Sequence, residues 1–124
     1  MKTKKVQLNF TLRSDTVGNF DDPSQQDIEH AFHPQGVIPE YHDIIKLIKS
    51  DGDYLAAKFF TKEGRCQVAH KHDDMQLDGV ELFTIDGAVK VFKRYLQNDI
   101  SWTRDYHWKK GLGQLLKDRF SSHN

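Results

Sequence analysis

Cysteine is almost absent from the chain: Cys66 stands alone. An intrachain disulfide is thereby excluded, and nothing else in the sequence calls for an oxidising compartment. Long apolar runs are missing too. No segment approaches the roughly twenty apolar residues of a membrane span. The basic N-terminus alternates polar with apolar residues from Met1 to Arg13 and lacks the apolar block of a secretory leader. A freely soluble, cytoplasmic protein with no membrane association is expected. Net charge is also missing, since eighteen Lys and Arg balance eighteen Asp and Glu among 124 residues. That balance argues against a nucleic-acid binder whose whole domain is basic. No glycine loop is suited to cradling a phosphate: Gly111-Leu112-Gly113 runs into Leu115 and Leu116, with no clear strand before it. Repeats, linkers and low-complexity segments are absent as well.

What is present reads as one domain, residues 1–124, long enough to bury about two thirds of the surface its unfolded form exposes. A hydrophobic share of 37% and a mean hydropathy of -0.71 predict a small core under a polar surface. Val6, Leu8, Phe10 and Leu12 alternate with polar residues and predict a strand with one buried face. Asp22-Pro23-Ser24-Gln25 reads as a helix entry, with Asp22 as cap, Pro23 at the first helical position and Gln25 returning a capping-box bond. That helix carries Ile28, Ala31 and Phe32 and stops at His33, before Pro34. Pro39 restarts a helix whose stripe is Tyr41, Ile44, Ile45 and Ile48, ending near Gly52. Tyr54 to Thr61 and Arg65 to His72 flank the turn Lys62-Glu63-Gly64 as a hairpin. A polar loop from Asp73 to Gly79 leads to the strand Val80–Ile85. Then comes a helix capped by Asp86, with Ala88, Val89, Phe92, Tyr95 and Leu96 on one face and Asn98 as its left-handed stop. Trp102, Tyr106 and Trp108 fit either a helical or a strand spacing, and on either they close over that helix as part of the core. A last helix is expected from Leu112, Leu115, Leu116 and Phe120. The fold class is α+β: a small, at least partly antiparallel sheet of about four strands with helices packed on one face.

Chemistry concentrates at His70-Lys71-His72. Residues two apart on a strand point the same way, so both imidazoles could meet one metal ion. Gly64 followed after five residues by His-x-His also resembles the opening of the cupin metal motif. The likeness stops there, because Gln76 or Leu77 stands where that motif needs glutamate. Cys66 shares the face but lies roughly 13 Å along an extended strand from His70. A third ligand would have to come from elsewhere, such as His107 or Asp73. Without one, the two histidines are expected to run off the hairpin into solvent, with no metal and no cofactor bound. Cys66, mid-strand beside Val68, reads as a small buried hydrophobe. No spacing singles out a catalytic acid and base, so the chain is not expected to be an enzyme.

Charge layout carries more. From Ser14 to Ile45 there are seven acids, Asp15, Asp21, Asp22, Asp27, Glu29, Glu40 and Asp43, and no Lys or Arg; from Lys90 to Arg119 there are eight bases and three acids. Helix dipoles account for about half of the acidic run, since Asp21, Asp22, Asp27 and Glu40 lie in or near predicted first turns. The absence of bases is left over, and it makes the molecule electrically polar.

The stretch Ala88-Val89-Lys90-Val91-Phe92-Lys93-Arg94-Tyr95-Leu96-Gln97-Asn98-Asp99, with Trp102 and Tyr106-His107-Trp108-Lys109 after it, resembles the end of small bacterial immunity proteins, the inhibitors of contact-dependent and other polymorphic toxins. It covers about a quarter of the chain. The resemblance implies a non-enzymatic protein that neutralises a cognate toxin, often a nuclease, by occlusion, and it transfers no binding residues. A toxin with a basic surface would be met by the seven acids of residues 15–43. Two alternatives stand beside this: a metal-binding domain or metal-dependent enzyme built on His70 and His72, and a phage or plasmid accessory protein that touches nucleic acid through Lys90, Lys93, Arg94, Arg104, Lys109 and Lys110.

Overall fold

A computed structural model describes residues 10–34, 43–50, 52–61, 64–72 and 75–110. Its elements are β1 (Thr11–Ser14), β2 (Gly18–Asp21), α1 (Gln25–Phe32), β3 (Ile44–Ser50), β4 (Asp53–Thr61), β5 (Arg65–His72), β6 (Met75–Gly79), β7 (Phe83–Thr84), α2 (Ile85–Leu96), α3 (Trp102–Asp105) and β8 (Trp108–Lys110). The strands form one eight-stranded sheet in the order β2-β1-β3-β4-β5-β6-β8, with β7 also paired to β5. All of these pairings are antiparallel. The α+β class is therefore as the sequence predicts, while the sheet has eight strands among the described residues instead of about four. No helix of the described residues is long and apolar enough to cross a membrane.

Register explains which side of the sheet is core. Leu12 stands opposite Leu47, and Leu47 opposite Leu55; one row along, Ser14, Ile45, Ala57 and Val68 align. All of these are buried. The period-2 side-chain alternation puts them on one face, and α1 and α2 cover it. Phe92 of α2 meets Phe32 of α1 edge-on at 5.0 Å, and Phe32 stacks at 6.1 Å on Phe59 of β4. Lys93 and Glu29 close the helix pair with an ion pair at 2.6 Å.

Several elements differ from expectation. Ile44–Ser50 is strand β3, not a helix: Ile45 and Leu47 are buried and Lys46 faces the other way. A short apolar run fits both periods, and its β-branched isoleucines favour the extended form. Within the expected polar loop, Met75–Gly79 forms β6, which satisfies the free edge of β5 at Ala69–His72. Of the expected strand Val80–Ile85 only Phe83–Thr84 pairs, and Val80 and Leu82 are exposed.

Both helix caps sit elsewhere than predicted. Ser24 caps α1, its hydroxyl accepting from Asp27 N at 3.2 Å while the Asp27 carboxylate accepts from Ser24 N at 2.8 Å. Asp22 instead takes a positive φ of 50°. Thr84 caps α2, accepting from Gly87 N at 3.0 Å, and Asp86 lies in the first turn. Asn98, at φ 61°, is the left-handed stop after α2, as expected. Trp102 lies fully buried in α3, and Trp108 opens β8, its ring 5.5 Å from that of Trp102. Trp102 is thus helical and Trp108 extended, while Tyr106, to which both spacings referred, lies between the two elements and belongs to neither. Gly79 permits this packing, because a Cβ there would meet the Phe83 ring at 2.7 Å. The expected strand at Val6 and Leu8, the helix start at Pro39 and Tyr41, and the helix from Leu112 to Phe120 lie outside the described residues.

Candidate metal centre

The β4–β5 hairpin brings Asp53, the first residue of β4, opposite His72 near the end of β5. His70, two residues back, points to the same side, which is the helix-covered face of the sheet. Asp53 Oδ2 lies 3.0 Å from His72 Nδ1, and Asp53 Oδ1 lies 3.5 Å from His70 Nε2. One donor atom from each of the three residues falls within 4.8 Å of the others. From α2, the Tyr95 hydroxyl donates to Asp53 Oδ1. His70 is wedged between rings, edge-on to Trp102 at 5.1 Å and to Tyr95 at 5.8 Å. Its side chain is only 19% exposed and that of Asp53 15%, against 62% for His72. The expectation that both histidines run off into solvent is therefore corrected for His70: α2 and α3 pack over the end of the hairpin and enclose it.

Burial sets the charges of the cluster. Desolvation would raise the Asp53 carboxyl, but hydrogen bonds from Tyr95 and His72 and the two nearby imidazoles hold it below the usual carboxylate range. Burial pushes His70 below the ordinary histidine value, against the opposing pull of Asp53. Burial, and then the bond to Asp53, push the Tyr95 phenol upward, which keeps it a proton donor. The cluster is thus an ionised carboxylate beside an imidazole that favours its neutral form, the protonation states a transition-metal ion requires of its ligands. A tetrahedral ion with bonds of about 2.1 Å sets its ligand atoms about 3.4 Å apart; Asp53 Oδ1 and His70 Nε2 stand 3.5 Å apart, while His72 Nδ1 faces the other carboxylate oxygen and completes the set within 4.8 Å. The same contacts can also hold a proton between carboxylate and imidazole. Beside the cluster is a cavity of about 320 Å³, walled on its far side by Asn98, Asp99, Ile100 and Thr103 and bordered by Lys49.

The other residues singled out by the sequence lie elsewhere. His107 is exposed and faces Glu81 at 3.4 Å, and Asp73 lies outside the described residues. Cys66 is buried opposite Phe59, its thiol pushed up to about 12 by burial, which leaves it inert. Of the acids, Asp15 accepts from Ile44 N at 2.9 Å and Asp43 from the Thr16 hydroxyl at 3.0 Å, so these two meet where β3 begins. Asp27 is in the capping box and Glu29 pairs with Lys93. Asp21 and Asp22 are exposed at the end of β2, and Glu40 lies outside the described residues. Among the bases, Arg94 pairs with Asp105 at 2.9 Å. Lys90 on α2 and Arg104 on α3 are exposed, and Lys109 and Lys110 sit on β8.

Asp53 is the residue that sequence reasoning misses. A regular ladder leaving the turn from the pair Thr61 and Arg65 would set Tyr54 opposite His72. A bulge between Phe59 and Thr61 shifts the register by one, and Asp53 takes that place. No family model matches the chain, and no curated protein or solved structure matches it.

Proposed function

We propose that the protein binds a divalent transition-metal ion of the zinc class through Asp53, His70 and His72. The observation that carries this reading is the convergence of the three donor atoms within 4.8 Å, two of the three side chains being largely buried. Two imidazoles and a carboxylate suit zinc and its neighbours better than calcium or magnesium, which take oxygen ligands. Tyr95 serves as the outer partner that orients the carboxylate. Three protein ligands leave a coordination position free, and the adjoining cavity has room for a small ligand or an activated water there. The test is zinc stoichiometry after equilibration and washing, together with the visible spectrum of the cobalt-substituted protein. One equivalent is expected in the wild type and in His107→Ala, and a large loss in His70→Ala and Asp53→Ala. Absence of a bound equivalent, or unchanged binding in both of those variants, would refute the reading.

A second reading, that the chain neutralises a cognate toxin such as a nuclease by occlusion, is favoured by a separate observation. Asp21 and Asp22 stand exposed side by side at the end of β2, available to a basic surface. Association of an Asp21→Asn, Asp22→Asn variant with a toxin encoded next to this gene should be slower at low salt. Equal rates would remove these two acids from the interface.

A further inference from the structure

The face of the sheet away from α1 and α2 carries a second concavity, of about 220 Å³, independent of the metal cluster. Its floor is the facing pair Ala56 and Ala69 at the centre of β4 and β5. The small floor residues leave a trough, because larger side chains stand around them on three strands. Lys46 from β3 lies opposite Ala56, Lys58 opposite Gln67, and Tyr54 opposite Lys71. Among the described residues three lysines thus border the trough against one acid, Asp78, which stands opposite Lys109 of β8. Arg13 projects from the same face beside Lys46. The Lys46 ammonium lies 4.8 Å from the centre of the Tyr54 ring, so a cation and an aromatic plane share one wall. Gln67 and Gln76 line other walls with amide groups that both donate and accept hydrogen bonds.

We infer that this face binds single-stranded nucleic acid. Clustered ammonium groups select a polyanion. The tyrosine ring and the flat two-alanine floor suit a planar base, and the glutamine amides can meet its hydrogen-bonding edge. The zero net charge of the chain is no obstacle, because Asp15, Asp27, Glu29 and Asp43 are engaged elsewhere, and Asp21, which shares this face, stands on the edge strand β2, three strands from Tyr54. None of the three lysines is near another in sequence. The antiparallel ladder alone brings them together.

The experiment is fluorescence anisotropy with a labelled oligouridine of about twelve nucleotides, titrated from about 50 to about 200 mM salt. Saturable binding is expected, with log affinity falling against log salt at a slope of about -1.4 or steeper, from about 0.7 for each of the phosphates that Lys46 and Lys58 neutralise. Lys46→Gln with Lys58→Gln should remove about 1.4 from that slope. Tyr54→Ala should weaken binding roughly tenfold with little change in slope, since stacking is not ionic. If Tyr54→Ala unfolds the strand, Tyr54→Leu keeps an apolar side chain there and tests the same stacking. No saturable binding at the lowest salt would overturn the proposal. So would a slope unchanged in the lysine variant, or equally effective displacement by polyglutamate, which would mark an acidic polypeptide as the ligand.

Discussion

Asp53 holds its position through three neighbours, His70, His72 and Tyr95, and its charge state is tied to theirs. Stability should therefore depend on pH in a defined direction. The folded state keeps His70 below its ordinary value, so as pH falls below about 6.5 the unfolded chain takes up that proton first. With more protons bound in the unfolded state, stability drops as the solution is acidified, until the folded imidazole is protonated too. Asp53, also held below its ordinary value, contributes stability that is present above about 3.9 and is lost as pH falls through its lowered value. The two losses have the same sign and occur in succession. Urea midpoints of the metal-free protein at several values between pH 8 and pH 5 should decline for the wild type and less so for His70→Gln. Parallel declines would mean that His70 does not titrate differently on folding. The pairing of His70 and His72 on one side is legible in the sequence, whereas Asp53 depends on a bulge, and Tyr95 and Trp102 reach the site only through the placement of α2 and α3.

The helices show how local signals and packing divide the work. The apolar stripes lie in the sequence, and α1 and α2 form where those stripes predict, each with its cap displaced by two residues, to Ser24 and to Thr84. Phe92 is fully buried between the helices and meets Phe32. Phe92→Ala should destabilise the protein by about 3–5 kcal/mol, and Ser24→Ala, which removes the α1 capping box, by about 1 kcal/mol. Chemical denaturation measures both. A loss at Phe92 no larger than the loss at Ser24 would contradict the packing of α2 on α1. Strand β3 follows the opposite logic: Ile44, Ile45 and Ile48 satisfy a helical period, but Leu47 and Ile45 are the side chains that Leu12 and Ala57 face, and cross-strand partners decided the outcome. Strand β6 has no strong period of its own and exists because β5 offers an unpaired edge.

At the scale of the whole molecule, charge that looks like one acidic block in sequence is dispersed in space. Asp15 and Asp43 secure the start of β3, Asp27 caps α1, and Glu29 ties α1 to α2. Of the seven acids, Asp21 and Asp22 keep an exposed position together, so they carry the toxin-neutralising reading at this scale. Their replacement by asparagine should slow association severalfold at low salt, with the difference shrinking as salt rises, because steering by exposed charge is screened. The bases behave likewise. Lys93 and Arg94 are taken up in ion pairs. Lys46, Lys58 and Lys71 form no sequence cluster and are brought to one trough by the ladder.

The sequence by itself determined the α+β class, the β4–β5 hairpin, the two amphipathic helices and the left-handed stop at Asn98, because each is encoded within a few neighbouring residues by period, turn chemistry or capping. Tertiary structure alone decided the number of strands, the identity of β3, the enclosure of His70 and the arrival of Asp53 beside it. Those depend on which strand edges find partners and on a one-residue bulge. Contacts between residues such as Asp53 and Tyr95, 42 positions apart, follow from the register and packing of whole elements, to which a local pattern is blind.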